Sequence, residues 1–348
     1  MARSPTFAIR IIEWQRSHGR HNLPWQGTRD PYRVWLSEVM LQQTQVATVA
    51  AYYERFLRFF PDVRALALAT LDDVLALWSG LGYYSRARNL HRCAQIVVDR
   101  HQGIFPSNAA DLAALPGIGR STAAAIASLC FAERVAILDG NVKRVLSRVF
   151  EFDGDLAQAR HERGLWALAE SLLPKEGIAS YNQGLMDLGA SICLARQPEC
   201  TRCPARRQCK SATAGTQTRY PVKSRKLVRG RREHVWLLLC WRDKVWLERR
   251  PERGVWARLW SLPEFASVSQ FESTSNTWPG RGERLPQIEH ALTHFDWTLH
   301  PVRWALPRRT GVARVEAIVN RSPHGRWFAL SEALALGLPA PLRRLLTT

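Results

Sequence analysis

Cys193-Leu-Ala-Arg-Gln-Pro-Glu-Cys200-Thr-Arg-Cys203-Pro-Ala-Arg-Arg-Gln-Cys209 concentrates four of the seven cysteines of this 348-residue chain in one short segment, with the spacing C-x6-C-x2-C-x5-C. The intervals are too short for much regular structure, so we expect the four sulfurs to converge on one point. Neighbouring thiolates repel one another unless a metal neutralises them. Soft thiolates select zinc or an iron–sulfur centre, so the segment predicts a metal site.

The spacing leaves the identity of that metal open. Paired C-x2-C motifs usually bind zinc, but only one interval here has two residues, and the other gaps suit an iron–sulfur cluster held at its corners. Two disulfides are disfavoured, because nothing else in the chain is typical of a secreted protein. Basic side chains lie within or beside the segment: Arg196, Arg202, Arg206, Arg207 and Lys210. A rigid basic loop of this kind indicates contacts with phosphate.

The composition of the whole chain agrees with a polyanionic partner. Lysine and arginine number 49 and aspartate and glutamate 30, which gives a formal net charge of +19. Such an excess favours nucleic acid over a merely solvated basic surface. The scattered residues Cys93, Cys130 and Cys240 are interpreted as buried thiols of a reducing compartment. No signal peptide and no apolar run of membrane-spanning length is evident, so we expect a cytoplasmic protein.

The hydrophobic pattern predicts two domains joined by a linker. It is helical from residue 6 to about residue 210, which predicts an all-α domain at 1–212. Residues 213–232 are polar and basic, as is typical of a tether or of a linker on an anionic surface. Strand-like alternation follows, with a hairpin at 235–249 and further strands near Trp260 and in 287–295, 298–306 and 312–319. We therefore predict an α+β domain at 233–348.

A tight turn between two predicted helices is a candidate DNA contact. The sequence Leu115-Pro116-Gly117-Ile118-Gly119-Arg120-Ser121 leads into an alanine-rich helix. Gly117 and Gly119 allow positive φ and close approach, so their backbone N–H groups can point outward at a helix N-terminus. Such a nest binds phosphate without reading the base sequence. A plain helical hairpin is the alternative.

Two acidic residues in apolar surroundings are candidate catalytic groups. Glu38 lies among apolar neighbours of a predicted helix, and Asp139 separates an apolar run from the start of another helix. Taken alone, Glu38 could be a surface residue and Asp139 a helix cap. A partly buried glutamate would, however, have a raised pKa and could act as a general acid near neutral pH. A protonated acid beside an ionised carboxylate is the pair that cleaves glycosidic bonds.

With these motifs together, the chain resembles the MutY family of adenine DNA glycosylases in the endonuclease III, or helix-hairpin-helix, superfamily. The resemblance covers nearly the whole chain. The matching segments are the cysteine segment, the turn at 115–119, Ser37–Thr44 and Leu138–Arg144. The resemblance favours a 4Fe–4S cluster over zinc, with Cys193, Cys200, Cys203 and Cys209 as its ligands. It also implies a bacterial-type enzyme that works as a monomer at the nucleoid.

The resemblance implies removal of adenine mispaired with 8-oxoguanine or guanine in double-stranded DNA. Adenine must leave the base stack to be reached, so the enzyme is expected to flip it into a pocket. Glu38 would protonate adenine N7 and so make it a better leaving group. Asp139 would stabilise the oxocarbenium ion, with transient covalent bonding as an alternative. Asn141 would position the sugar and Asp139.

The same resemblance implies further contacts with DNA. Gln43 and Tyr83 match residues that wedge into the duplex beside 8-oxoguanine, and Leu41 and Gln42 would support that wedge. The hairpin residues Gly117, Gly119 and Ser121 would also contact the DNA.

Ser121 separates this chain from the bifunctional members of the superfamily. In those enzymes a lysine stands at the equivalent position, and its amine forms a Schiff base that leads to strand cleavage. A hydroxyl cannot form an imine. Lys143 occurs in MutY-like chains as well and does not change this expectation. We therefore predict a monofunctional glycosylase.

The second domain resembles the nudix-related C-terminal domain of the MutY family. Residues 254–265 match its signature strand and loop, but the following residues contain too few glutamates to hold magnesium as a working nudix box does. We therefore expect a recognition domain. The family's Phe-Ser-His loop, which reads 8-oxoguanine, is Leu292-Thr293-His294 here. Thr293 keeps the hydroxyl and His294 is retained, whereas Leu292 lacks the aromatic ring.

Three other classes of function compete with the adenine glycosylase. Ser121 and the second domain argue against a bifunctional pyrimidine glycosylase/lyase. The presence of both Glu38 and Asp139 in matching segments argues against a non-catalytic DNA-binding or redox protein that carries a cluster. The scarcity of glutamates argues against a nudix-type pyrophosphatase.

Overall fold

The computed structural model describes residues 6–224, 228–320 and 324–347, which form two compact units. Residues 6–68 and 89–224 make up the first unit, and residues 69–88 with 228–320 and 324–347 make up the second. The predicted domain boundaries at residues 212 and 233 stay a prediction. The two compact units are not consecutive in sequence, because residues 69–88 belong to the second unit. Arg225 and Lys226, which belong to the predicted basic linker, lie outside the described residues.

Helices occur throughout the described chain, and they make up the first unit without any strand. Their bounds are α1 Phe7–His18, α2 Pro31–Leu41, α3 Val46–Phe59, α4 Val63–Leu68, α5 Leu71–Trp78, α6 Ser85–His101, α7 Ala109–Ala113, α8 Arg120–Phe131, α9 Gly140–Phe150, α10 Ala159–Ser171, α11 Ile178–Ser191, α12 Lys210–Ala214, α13 Val268–Ser275, α14 Val312–Val319, α15 Leu330–Ala335 and α16 Ala340–Thr347. None of these described helices has the length and apolar character needed to span a bilayer.

The core of the first unit forms where α11 packs against α1, α8 and α9. Ile11, Leu146 and Leu188 lie in this core and are fully buried. Gly184 on α11 lies directly against α1, because a Cβ atom there would stand 2.8 Å from Ile11 Cγ2. The missing side chain therefore lets the two helices approach closely. The start of α9 and the connection between α1 and α2 both extend from this core.

The helix–turn–helix predicted around residue 117 is confirmed as the connection from α7 to α8. The Ile118 N–H donates to the Leu115 carbonyl at 3.2 Å, which closes the turn. Gly117 has a φ of +78°, and a Cβ atom there would stand 2.7 Å from Asn89 Cβ. Glycine is therefore required for both its conformation and its size. Gly119 is the N-cap residue of α8, and no side chain caps that helix.

The second unit contains a mixed sheet. Its strands are β1 Gly230–Trp241, β2 Lys244–Arg249, β3 Trp260–Ser261, β4 Glu264–Phe265, β5 Arg281–Arg284, β6 Ile288–Ala291, β7 Phe295–Ala305 and β8 Gly325–Ala329. Their order is β3-β2-β1-β7-β5, with β1 and β7 parallel. The predicted hairpin is confirmed as β1 and β2, which pair antiparallel. β1 begins at Gly230, inside the predicted linker.

The strand predicted at residues 312–319 is wrong, because this segment is helix α14. Its β-branched residues suggested a strand. However, Val315, Ile318 and Val319 are buried together in the core with Trp246, while Val312 is 54% exposed. Spacings of three and four residues place the buried side chains on one helical face. The predicted fold class is confirmed, because an all-α unit is combined with an α+β unit.

Candidate active site

A cavity of about 500 Å³ in the first unit brings the predicted catalytic residues together. Glu38 projects into it from α2, and Asp139 and Asn141 reach it from the start of α9. The connection between α1 and α2, together with α11, supplies the remaining wall. Such a volume is typical of a small-molecule pocket. The two carboxylates, about 100 residues apart in sequence, therefore face one space.

Asp139 is the N-cap of α9, as its simplest interpretation predicted, and it also lines the cavity. Its Oδ1 accepts a hydrogen bond from the Val142 N–H at 2.8 Å, and its Oδ2 accepts one from Asn141 Nδ2 at 3.2 Å. Burial raises the pKa of Asp139, whereas these hydrogen bonds and the nearby Arg144 oppose the rise. Burial is the largest of these effects, so the pKa of Asp139 is raised overall, and the local contacts limit that rise.

Glu38 has a different electrostatic environment. Burial and, to a smaller extent, the charge of Asp139 raise its pKa from 4.5 to about 7, while Arg20 opposes the rise. Two carboxylates that share a desolvated cavity cannot both ionise easily. Because Asp139 receives hydrogen bonds that stabilise its anion, we infer that Glu38 holds the proton when only one of the two carboxyl groups is ionised. Near neutral pH a large fraction of Glu38 is therefore protonated.

Arg20 supplies a positive charge to this cavity, and sequence reasoning missed it. Its Nε donates to Asp187 Oδ1 at 2.7 Å, and its backbone N–H donates to Asp187 Oδ2 at 3.0 Å. Asp187 is completely buried, and Gln183 Nε2 also donates to its Oδ1 at 3.0 Å. The ion pair joins residues 167 positions apart, so no local pattern could have indicated it.

Gln26 is a second wall residue that the sequence did not identify. Its Oε1 accepts a hydrogen bond from the Leu23 N–H at 3.3 Å, which orients the carboxamide. Its Nε2 is buried and has no hydrogen-bond partner among the described residues. A buried N–H donor without a partner costs free energy. Because this nitrogen has almost no accessible surface, a molecule in the cavity reaches it only after the carboxamide turns.

Asn141 is held in place from the side that faces away from Asp139. Arg144 Nη2 donates to Asn141 Oδ1 at 2.9 Å and to the Gly189 carbonyl at 2.6 Å. Arg144 Nε donates to the Cys193 carbonyl at 2.8 Å. A Cβ atom on Gly189 would stand 2.5 Å from Asn141 Cβ, so α11 can approach Asn141 only because this residue is glycine. One arginine thereby connects the cavity to the cysteine segment.

The four cysteines of that segment line one small apolar cavity. Arg148, which is 2% exposed, donates to the carbonyls of Leu194 at 2.6 Å and Ala195 at 2.9 Å. Burial and, to a smaller extent, the other three cysteines raise the pKa of the Cys203 thiol to about 12. Four sulfurs around one apolar space fit a metal–sulfur group.

Within the described residues, no group of three or more Cys, His, Asp or Glu side chains is placed to hold one metal ion. The expected convergence of the four sulfurs is therefore seen only as a shared cavity. The choice between zinc and a 4Fe–4S cluster stays a prediction.

The other residues predicted to contact DNA fall into separate places. Leu41 lines the catalytic cavity, and Gln42 Nε2 donates to Thr122 Oγ1 at 3.4 Å. Gln43 has a φ of +58°, which is unusual for a residue with a side chain. Ser121 Oγ accepts a hydrogen bond from the Leu138 N–H at 3.3 Å, beside Asp139.

A second cavity, of about 770 Å³, lies within the second unit. It brings Tyr83 together with Leu292, Thr293 and His294. Tyr83 is 46% exposed and has a φ of +48°. The predicted recognition loop and one of the two predicted wedge residues therefore share one surface.

The nudix-like segment carries few acidic residues. Helix α13 follows the signature strand and loop, and Glu272 is its one carboxylate. Glu272 pairs with Arg284 at 3.4 Å on an exposed surface. The segment therefore offers no cluster of carboxylates for magnesium.

Comparison with known proteins gives the same assignment for both parts of the chain. The model of the HhH-GPD superfamily base excision DNA repair proteins matches residues 36–170, and the NUDIX domain model matches residues 234–348. The adenine DNA glycosylase of Buchnera aphidicola subsp. Acyrthosiphon pisum (strain APS) is 35% identical over 347 residues, covering 98% of this chain and 96% of that protein. The human adenine DNA glycosylase is 40% identical over 220 residues, covering 61% of this chain and 40% of that protein.

Solved structures match the first unit. A thermostable thymine-DNA glycosylase is 29% identical with a TM-score of 0.54, covering 60% of this chain and 95% of that chain. A non-covalent complex of endonuclease III with DNA has a TM-score of 0.51 at 21% identity, covering 60% of this chain and 95% of that chain. At 21% identity, the similarity to endonuclease III shows the fold alone.

The raised pKa of Glu38 predicts a pH-dependent cost in stability. A folded-state pKa of about 7 against 4.5 means that the folded state binds a proton more tightly than the unfolded state. This stabilisation is complete below about pH 4.5 and is lost as the pH rises through 7. Relative to Glu38→Gln, the wild type should therefore lose up to about 3 kcal/mol of unfolding free energy between pH 5 and pH 8. Urea unfolding at both pH values measures this difference.

The matched control is Glu176→Gln, because Glu176 is an exposed glutamate of the same unit. Its stability difference from the wild type should not change over the same pH range. An equally flat difference for Glu38→Gln would contradict the assignment of the shared proton to Glu38.

Proposed function

Because this chain belongs to the adenine DNA glycosylases of the HhH-GPD superfamily, which act on N-glycosyl bonds in base excision repair, we propose that it excises adenine opposite 8-oxoguanine or guanine with Glu38 and Asp139 as catalytic residues. The observation that carries the proposal is the placement of both carboxylates on one cavity, with different surroundings. Glu38 has a pKa of about 7, and Asp139 receives hydrogen bonds that stabilise its anion. Cleavage of a glycosidic bond needs both.

Glu38 supplies the proton in this proposal. Adenine leaves poorly as an anion, so protonation of N7 lowers the barrier to breaking the bond between base and sugar. A general acid is most effective when its pKa is near the working pH, and the pKa of Glu38 is about 7. Arg20 keeps that pKa from rising further.

Asp139 stabilises the positive charge that develops on the deoxyribose as the base departs. Its hydrogen bonds from the Val142 N–H and from Asn141 hold the carboxylate in place before the reaction. A charge that is already oriented needs no reorganisation in the transition state. Asn141 therefore acts as a positioning residue for Asp139, and Arg144 holds Asn141 in turn.

Gln26 is proposed to recognise the flipped base. All three unsubstituted ring nitrogens of adenine are hydrogen-bond acceptors, whereas guanine carries an N–H at N1. The buried Nε2 of Gln26 is a donor without a partner among the described residues. Once the carboxamide turns towards the cavity, an adenine ring nitrogen can accept a hydrogen bond from it, whereas the N1–H of guanine would oppose it.

The proposed reaction ends with an intact strand that carries an abasic site. Schiff-base chemistry needs an unprotonated amine at the sugar, and no lysine is found among the described residues that line the cavity. Lys143 Nζ instead pairs with Glu162, and Ser121 accepts the hydrogen bond from Leu138. Water is then the nucleophile that completes the hydrolysis.

We propose that Cys193, Cys200, Cys203 and Cys209 hold a 4Fe–4S cluster. When bound, this group would supply a rigid anchor for the basic loop rather than a reacting centre. Arg148 binds the loop carbonyls, and Arg144 carries the connection to Asn141. The basic side chains of the loop would then contact DNA phosphates, as would the backbone N–H groups around Gly117 and Gly119.

The base opposite adenine is proposed to be read on the cavity of the second unit. The hydroxyl of Thr293 and the ring of His294 can hydrogen-bond 8-oxoguanine, and Tyr83 on the same cavity can insert beside it. Gln43 is the other proposed wedge residue, with Leu41 and Gln42 as its supports. Both wedge residues have positive φ values, and such strained backbone is frequent at binding sites.

Asp139→Asn tests the division of labour between the carboxylates. Asparagine caps helices as well as aspartate does, so α9 should be preserved while the negative charge is lost. Excision of adenine from an 8-oxoguanine:A duplex should fall by about 10³-fold with DNA binding retained. Single-turnover excision and a gel-shift titration measure the two quantities. Asp99→Asn on the exposed face of α6 is the matched control, and an equal loss of binding by Asp139→Asn would reduce Asp139 to a structural cap.

Gln26→Leu tests the recognition of adenine. The substitution keeps approximate size and removes the donor, so kcat/KM for adenine excision should fall by about 10-fold. The exposed Gln95→Leu on α6 should leave it unchanged. An unaltered kcat/KM in Gln26→Leu would show that the buried amide makes no contact with the base.

A further inference from the structure

The segment 69–88 lies before most of the first unit in sequence but folds with the second unit. After α5 ends at Trp78, the chain makes a turn from Gly80 to Tyr84 that carries Tyr83. The Leu338 carbonyl accepts hydrogen bonds from Ser79 Oγ and from the Tyr84 hydroxyl, both at 2.9 Å. Both bonds are buried. One carbonyl near the end of the chain therefore binds both sides of the turn.

Arg343 of α16 strengthens this attachment. Its Nη1 and Nη2 donate to the carbonyls of Leu334 at 2.8 Å and Leu336 at 2.9 Å. Its Nε donates to Ser79 Oγ at 3.3 Å. The Ser79 hydroxyl thus accepts from Arg343 while it donates to Leu338. The guanidinium fixes the C-terminal carbonyls and the start of the turn at the same time.

The turn needs such an attachment because its backbone is strained. Gly80 and Gly82 have φ values of +106° and +72°, which glycine adopts freely, but Tyr83 has a φ of +48°. A residue with a side chain holds this conformation only when its surroundings impose it. Within the turn, the Gly80 N–H donates to the Tyr84 hydroxyl at 3.3 Å. The Tyr84 hydroxyl therefore joins Gly80 to Leu338.

We propose that Ser79, Tyr84 and Arg343 are positioning residues that hold Tyr83 against the cavity of Thr293 and His294. On this view the C-terminal residues 334–343 contribute to reading the opposite base without touching it. This inference rests on the proposed function, in which Tyr83 inserts beside 8-oxoguanine. If the attachment is lost, Tyr83 relaxes towards ordinary backbone conformations, and the fraction of enzyme ready to engage the lesion falls.

The consequence is selective, because Tyr83 lies on the cavity of the second unit and not on the catalytic cavity of the first. Loss of the attachment should weaken the preference for 8-oxoguanine:A over G:A more than it slows excision itself. Loss of general stability would reduce both activities alike. The ratio of the two rates therefore separates a positioning role from a structural one.

Tyr84→Phe removes one hydroxyl and with it the hydrogen bonds to the Leu338 carbonyl and from the Gly80 N–H. In single-turnover assays on the full-length protein, we expect its preference for 8-oxoguanine:A over G:A to fall by about 10-fold. Tyr32→Phe is the matched control, since it also deletes a buried tyrosine hydrogen bond, the one to the Phe60 carbonyl in the first unit. The preference of Tyr32→Phe should be that of the wild type. Ser79→Ala should also lower the preference for 8-oxoguanine:A over G:A. It replaces Tyr84→Phe in the test if Tyr84→Phe does not fold.

A double-mutant cycle with Tyr83→Ala completes the test. If Tyr84 acts through Tyr83, Tyr84→Phe should change the preference no further once Tyr83 is alanine. Independent effects in the cycle, or an equal loss on both duplexes, would overturn the proposal. Failure of the unaltered enzyme to release adenine from either duplex would instead contradict the proposed function itself.

Discussion

Two carboxylates compete for charge in one desolvated cavity, and the rest of the site depends on how that competition is resolved. Asp139 caps α9 and receives hydrogen bonds that favour its anion, whereas burial and the charge of Asp139 raise the pKa of Glu38 to about 7. The same cap that starts a helix thus assigns the proton to the other residue. An aspartate in this position serves the fold and the chemistry through one set of contacts. The structural interpretation and the catalytic interpretation of Asp139 are therefore compatible.

Arg144 makes the geometry of this pair depend on a distant part of the first unit. It binds Asn141, the end of α11 and the cysteine segment at once. Arg148, one helical turn further along α9, binds the same segment through its carbonyls. The cysteine segment is therefore part of the support of the catalytic residues as well as a candidate surface for DNA. The close approach of α11 to Asn141 is possible only with glycine at 189.

Local sequence patterns were sufficient where the chemistry is local. The glycine turn before α8, the cap at Asp139 and the shared cavity of the four cysteines could be predicted. The hydrophobic pattern supplied the two unit types, and the resemblance to a known family supplied their class of activity. Contacts between distant residues could not be predicted: the Arg20–Asp187 pair, the buried amide of Gln26 and the association of residues 69–88 with the second unit depend on tertiary packing. Residues 312–319 were misjudged because valine-rich composition outweighed helical spacing.

The most direct test of the account is a single-turnover reaction on a duplex that holds one 8-oxoguanine:A pair, analysed with and without alkali. We expect release of free adenine, with cleavage of the adenine strand only after alkali treatment, because water rather than an amine attacks the sugar. Strand cleavage without alkali would contradict the monofunctional mechanism. Absence of adenine release would contradict the assignment of Glu38 and Asp139 as a catalytic pair.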